Sequence, residues 1–182
     1  MESNEKQIIK DCLKGNRQAQ EALYQKYASQ MFAICLRYSK EQQEAEDILQ
    51  EAFIKVFKQL GKFRGDAKVV FWIKKIVINT ALNSQRSKLY LYPMVDIDDY
   101  KEEKGEALNP TDYTMEELLT MIKKLPNSSQ IIFNLFAIEG YKHQEIAKQL
   151  GISVGTSKSQ YARARQLLQD QMKELNKHYG RG

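Results

Sequence analysis

The chain of 182 residues is 42% hydrophobic and 28% charged, carries a formal net charge of +5 at pH 7, and has room for one ordinary domain or two small ones. Cys12 and Cys35 lie far apart without CxxC spacing, and neither histidine is near them in sequence, so the sequence indicates no metal site and no other cofactor. No stretch is apolar enough to span a bilayer or to form a signal-peptide core, so we expect a cytoplasmic protein without direct membrane insertion.

The charge is unevenly distributed along the chain. Lys and Arg are in excess in residues 1–90 and 113–182, whereas Asp and Glu are in excess in residues 91–112. Two basic blocks around an acidic one suit a polyanion that contacts both ends. An ordinary solvated helix surface has a similar composition, and charge alone favours that interpretation.

The clearest helical pattern in the N-terminal half is AEDILQEAFIKVFKQL, residues 45–60. Its apolar residues follow the three-and-four spacing of one buried stripe: Ala45, Ile48, Leu49, Ala52, Phe53, Val56, Phe57 and Leu60. The opposite face is polar and includes Asp47, Gln50 and Glu51.

A glycine-containing break and a second apolar run follow. Gly61 and Gly65 in GKFRGDAK favour a loop, and VVFWIKKIVINTALNSQR predicts a helix of about four turns if its β-branched residues are buried. Phe71 and Trp72 lie within this apolar run, which predicts that both are packing residues and not base readers.

The C-terminal half begins after residues 91–112, which contain two of the three prolines, lack amphipathic periodicity and predict a flexible acidic linker. Helical spacing resumes at residue 115, with breaks at Pro126 and Gly140. Residues 113–177 should therefore form a compact four-helix domain. With no convincing strand pattern anywhere, we predict an all-α fold of two small helical domains.

Residues 140–168, GYKHQEIAKQLGISVGTSKSQYARARQLL, fit a helix-turn-helix. Ala147 is small where the helices approach, Gly151 suits the turn, Leu150 and Ile152 flank it as apolar anchors, and Ser153 is the expected N-cap of the second helix. Helical spacing places Ser157, Tyr161, Ala164 and Leu168 on an inward face, and Ser159, Ala162, Arg163 and Gln166 opposite, with Lys158 and Arg165 flanking.

The outward face of that second helix can enter a major groove, where basic and amide side chains contact bases or phosphates. A plain helical hairpin with a solvated basic face is the alternative. Agreement of spacing, cap and charge favours DNA binding.

This motif, together with AEDILQEAF and FRGDAKVVFWIKKIVINTALNSQR, resembles the extracytoplasmic-function (ECF) group of bacterial RNA polymerase sigma factors. The resemblance covers nearly the whole chain, in the family's order. It implies a region 2-like domain in residues 1–90, a linker in 91–112 and a region 4-like domain in 113–182. It further implies a non-catalytic promoter-specificity subunit that binds the beta-prime and beta subunits of core polymerase and promoter DNA. Members of this family are commonly held inactive by an anti-sigma factor, and no small-molecule substrate is implied.

The resemblance also assigns roles to individual residues. Contacts to the beta-prime coiled coil are implied for Asp47, Gln50 and Glu51. A pocket for a base turned out of the non-template strand at the minus-ten element is implied for Phe63, Ile76, Asn79 and Asn83, with phosphate contacts from Arg64, Lys74, Lys75 and Arg86. Contacts to the minus-thirty-five element are implied for Lys158, Ser159, Gln160, Arg163 and Arg165.

Two residues depart from the family pattern. Ser157 stands where a branched apolar anchor is common, which predicts looser helix packing. Gln160 stands where a basic residue is common, which removes one possible phosphate or base contact and leaves the preferred promoter sequence open.

An autonomous helix-turn-helix regulator, with an N-terminal dimerisation or signal-binding domain, would also need the second helix of the motif. It would have no use for a polymerase-docking helix followed by a strand-opening element. A helical enzyme is disfavoured because the sequence has no nucleophile–base constellation and no phosphate-cradling glycine loop.

Overall fold

In the computed structural model, the backbone is described for residues 3–91 and 113–179, and every regular element in those ranges is helical. The chain divides into two compact units, residues 1–84 and 85–182, which confirms the predicted all-α fold of two small helical domains. The predicted linker lies outside the described residues, apart from Leu91 at the end of a helix. No described helix is both long and apolar enough to cross a membrane.

The first unit contains helices α1 (Ser3–Leu13), α2 (Arg17–Tyr38) and α3 (Gln42–Gln59), a 3-10 turn (Leu60–Lys62) and the beginning of α4 (Val69–Leu91). Asn16 caps α2, since its side-chain oxygen accepts a hydrogen bond from the backbone N–H of Ala19 at 3.1 Å. α2 packs against both α1 and α3. The predicted stripe of α3 lies in this core, with six residues buried within the helix: Ala45, Ile48, Leu49, Ala52, Phe53 and Val56.

The second unit contains α5 (Met115–Lys124), α6 (Asn127–Phe133), a π-helical segment (Asn134–Ile138), α7 (His143–Leu150) and α8 (Val154–Tyr179). Thr114 and Glu117 form a capping box at the start of α5. Pro126 separates α5 from α6 as predicted, and Gly140 takes a positive φ of 78° just before α7. α5, the Leu125 that follows it and α8 share a core of six residues: Met121, Ile122, Leu125, Ala164, Leu168 and Met172.

Candidate nucleic-acid and polymerase interfaces

The turn between α7 and α8 has the geometry that its sequence predicts. Gly151 adopts the left-handed conformation at φ 70°, which is easiest for glycine, and its N–H donates to the carbonyl of Ala147 at 2.9 Å. Ser153 caps α8, because its Oγ accepts a hydrogen bond from the N–H of Thr156 at 2.9 Å. The predicted cap and turn glycine are therefore confirmed.

A histidine that the sequence analysis did not single out joins the two helices. His143 Nδ1 on α7 and Ser157 Oγ on α8 are hydrogen-bonded at 2.9 Å. The imidazole also stacks on Phe136, with ring centroids 4.1 Å apart and an interplanar angle of 13°. Ser157 is fully buried, so the helices close around this serine, contrary to the looser packing expected of it.

The structure contradicts the DNA contact predicted for Gln160. This residue is only 2% exposed, and its Oε1 accepts hydrogen bonds from Ser128 at 3.1 Å and Ser129 at 2.8 Å. Its amide thus faces α6 and links α8 to that helix. Gln160 belongs to the inward face of α8, together with Ser157 and Ala164.

The other predicted residues of α8 keep some exposure. Lys158 is exposed, and Ser159, Arg163 and Arg165 are half-buried. Ser159 Oγ donates to the carbonyl of Thr156 at 3.1 Å. The sequence-based site missed the exposed first turn of α8, with Val154 and Gly155, although the cap at Ser153 already indicated where the helix begins. The N-terminal residues of a recognition helix are those that usually reach base edges.

In the first unit, an aromatic pair lies where the loop after α3 meets α4. Phe63 packs against Trp72, with ring centroids 5.5 Å apart and an interplanar angle of 49°. The N–H of Phe63 donates to the carbonyl of Leu60 at 3.0 Å, and Gly65 turns the chain with a φ of 79°. Both rings are half-buried, so each keeps part of its surface accessible.

Two stripes of opposite character run along α4. The inner stripe comprises Val69, Ile73, Val77 and Ala81, all fully buried. Residues two positions away point to the opposite side of an α-helix, and those at that offset are all exposed. They form what we call the outer ridge, comprising Phe71, Lys75, Asn79 and Asn83.

The structure brings most of the predicted strand-opening residues to the outer ridge or beside it. Asn79, Asn83 and Lys75 lie on the ridge, while Ile76 and Lys74 are half-buried next to it. Arg64 is exposed in the preceding loop, and the side chain of Arg86 lies outside the described part of the chain. The prediction that Phe71 packs in the core is wrong, because this ring is 61% exposed.

The polar face of α3 presents the predicted polymerase-docking residues. Asp47, Gln50 and Glu51 are all exposed and lie on one side of the helix by their three-and-four spacing. Glu51 forms an ion pair with Lys55 at 2.7 Å, and Lys55 reaches Thr80 of α4 at 3.4 Å. Ile54, which is 54% exposed on the same side, is a contact candidate that the sequence analysis missed.

Comparisons with known proteins match both units to one family. A family model of sigma-70 region 2 matches residues 23–89, and one of sigma-70 region 4 matches residues 115–168. The chain is 28% identical to the RNA polymerase sigma-H factor of Pseudomonas aeruginosa, over 96% of both chains. It is 29% identical to the ECF RNA polymerase sigma-E factor of Escherichia coli (strain K12), over 92% of this chain and 94% of the relative.

The chain belongs to the ECF group of sigma factors. A solved structure of the sigma factor RpoE in complex with the anti-sigma factor NepR from Bartonella quintana has the same fold. It superposes with a TM-score of 0.52 at 21% identity, covering 84% of this chain and 96% of that one.

As an ECF sigma factor, the protein is a promoter-specificity subunit that binds core RNA polymerase and promoter DNA and is not itself an enzyme. The alternative of an autonomous helix-turn-helix regulator is not favoured, since the region 2 match covers the segment that such a regulator would not need. All the residues predicted for polymerase docking and strand opening fall within the region 2 match, and those of α8 fall within the region 4 match.

Proposed function

We propose that the two units of this ECF sigma factor divide promoter recognition between them. The region 2-like unit docks on polymerase and captures the opened minus-ten strand, while α8 of the region 4-like unit reads the minus-thirty-five element. The observation that carries the proposal is the outer ridge of α4. It places Asn79 and Asn83 on one exposed side, on the helix that follows the Phe63 loop.

For strand capture, we assign complementary chemistry to the residues around the ridge. Phe63 offers a ring on which a base can stack, while the amides of Asn79 and Asn83 can donate to and accept from a base edge. Ile76, half-buried beside them, supplies an apolar wall. Arg64, Lys74, Lys75 and Arg86 provide the positive charge that phosphates of the opening duplex require.

For the upstream element, we assign the contacts on α8 to Lys158, Ser159, Arg163 and Arg165, and leave Gln160 out because its amide is engaged by α6. Lysine and arginine can pair with phosphates or donate to guanine edges. The exposed first turn of α8, at Val154 and Gly155, is its N-terminal end. The N-terminal residues of recognition helices are the ones that contact base edges in the major groove.

For polymerase docking, we assign the exposed polar face of α3, with Asp47, Gln50 and Glu51 as contacts to the beta-prime subunit. This face carries two carboxylates and an amide, and it lies apart from the buried apolar stripe of the same helix. A partner can therefore bind it without disturbing the core. We further propose that an anti-sigma factor binds this protein and holds it inactive, since the RpoE of the same fold was solved in complex with the anti-sigma factor NepR. We place this protein itself in the cytoplasm, where RNA polymerase binds promoters.

The division of labour is tested by transcription in vitro with sigma-free core polymerase and a promoter library. The protein should bind core and start transcription from a subset of promoters that share two spaced elements. Variants Asp47→Ala and Glu51→Ala should lose core binding, whereas Lys158→Ala should retain it and lose selectivity for the upstream element. The assignment would be overturned if Lys158→Ala lost core binding. It would also be overturned if the wild-type protein bound duplex DNA but did not bind core polymerase.

A further inference from the structure

An aromatic side chain in the first turn of α4 is largely exposed. Phe71 is 61% exposed, although it lies in the first turn of a helix whose inner stripe is fully buried. Its position is fixed by the backbone, because its N–H donates to the carbonyl of Lys68 at 3.1 Å and the inner stripe lies two positions away on each side. The helix therefore holds this ring outward.

The surroundings of Phe71 favour a polyanion over an apolar protein surface. Lys74 and Lys75 lie three and four positions after it on α4, the spacing at which helical side chains are neighbours. Lys68 immediately precedes the helix. Residues 67–91 contain five Lys or Arg residues and no Asp or Glu. An aromatic ring among lysines is the composition of single-strand binding surfaces, on which bases stack while cations hold phosphates.

Phe71 is also continuous with the strand-capture site, since it begins the outer ridge that continues through Lys75 to Asn79 and Asn83. Eight residues separate it from Asn79, which is about 12 Å along a helix. That distance exceeds the roughly 3.4 Å rise between stacked bases. A base resting on Phe71 is therefore a different base from the one held at Asn79.

We propose that Phe71 is a second base-stacking residue, which holds another unpaired base of the opened promoter strand. This inference rests on the proposed role of α4 in strand capture and adds a contact to it. The stack is specific for a flat ring and tolerates any base, because every base presents a π face. Phe71 thus stabilises the open complex without selecting sequence at its own position.

The test uses complete holoenzyme reconstituted with wild-type protein or with Phe71→Ala, Phe71→Leu or Phe71→Trp. Open complexes are followed by their lifetime after a polyanionic competitor is added. Alanine and leucine should both shorten the lifetime about 5- to 150-fold, the range for loss of one base–aromatic stack, and tryptophan should preserve it. Because the ring is exposed, thermal unfolding of the free variants should match wild type, which separates a contact from a folding defect.

A scan of single abasic sites along the non-template strand locates the base. At one position, removing the base should abolish the difference between wild type and Phe71→Ala, and that position should differ from the one coupled to Asn79. If Phe71→Leu kept the wild-type lifetime while Phe71→Ala weakened core binding, Phe71 would contact protein and the base stack would be overturned. The absence of any coupled position would also overturn it. Failure of wild-type holoenzyme to open any promoter would instead overturn the proposed function, and the inference with it.

Discussion

His143 and Ser157 join the two helices of the helix-turn-helix through a hydrogen bond of 2.9 Å between Nδ1 and Oγ. The serine is fully buried, and the imidazole stacks on the ring of Phe136, with ring centroids 4.1 Å apart. A polar pair thus occupies the place where an apolar anchor was expected. This pair links α8 to α7, and the amide of Gln160 links α8 to α6.

Replacing Ser157 by Ala should destabilise the second unit by about 1 kcal/mol, because the ring nitrogen of His143 loses its partner inside the helix pair. Urea unfolding followed by circular dichroism measures the loss. Ser159→Ala is the matched control: its Oγ bonds only within its own helix in the contacts described, so it should change the free energy of unfolding less. Equal losses for the two variants would contradict a special role for the link between helices.

The same histidine should give the second unit a pH-dependent stability. Burial, followed by the positive charge of Lys158, lowers the pKa of His143 below its usual value, so the folded state disfavours the protonated ring. The stability contribution is then complete above about pH 6.5, the pKa of an unperturbed histidine, and is lost as the pH falls through the lowered folded-state pKa.

An NMR titration of the His143 ring measures that pKa directly, and His143→Phe, which keeps a ring for stacking, should remove the associated change in unfolding free energy. Glu5 and Asp11, whose carboxyl pKa values are lowered from 4.5 and 3.8, belong to the first unit, so their titration does not report on the second unit. A ring that titrates at or above its usual pKa would refute the expected sign.

The local features of the fold could be predicted because short-range chemistry determines them. A turn glycine, a serine cap and the apolar stripe of α3 each follow from residues within one or two helical turns. The errors arose where tertiary contacts decide which way a side chain points. Gln160 faces inward because Ser128 and Ser129, more than 30 positions earlier in the chain, supply donors to its amide, and helical spacing alone cannot reveal such partners.

Phe71 illustrates the converse error. An apolar run that surrounds a residue predicts burial. α4 buries the stripe that begins at Val69, together with neighbours such as Ile78 and Leu82, and leaves Phe71 exposed. Residue spacing identifies the two sides of α4, but it does not determine which side a neighbouring helix covers. For α3 the exposed face could be predicted correctly, because the two sides of that helix differ clearly in polarity.

Gln160→Ala should act on stability and not directly on DNA contacts. Two buried or half-buried serine hydroxyls would lose their acceptor, which costs about 1–3 kcal/mol when such groups are left unsatisfied. At a temperature where the variant is fully folded, its selectivity for the minus-thirty-five element should match wild type. Arg163→Ala provides the opposite pattern, with weakened upstream selectivity and little change in thermal unfolding. A changed base preference in the folded Gln160→Ala protein would contradict a purely structural role for Gln160 and indicate a direct contact with DNA.

Asn79→Ala should impair promoter opening more than the initial recruitment of polymerase. Its amide lies exposed on the outer ridge. Because the proposed partner is a base that has left the duplex, the closed complex should not need this contact. The open complex should lose about 3- to 10-fold in stability, as expected for one hydrogen bond. Gel shifts at low temperature measure recruitment, and permanganate reactivity of unpaired thymines measures opening.

Arg163→Ala, on the recognition helix, should show the reverse, with weaker recruitment and normal opening of the complexes that form. Equal losses at both steps for Asn79→Ala would argue against a base pocket on α4.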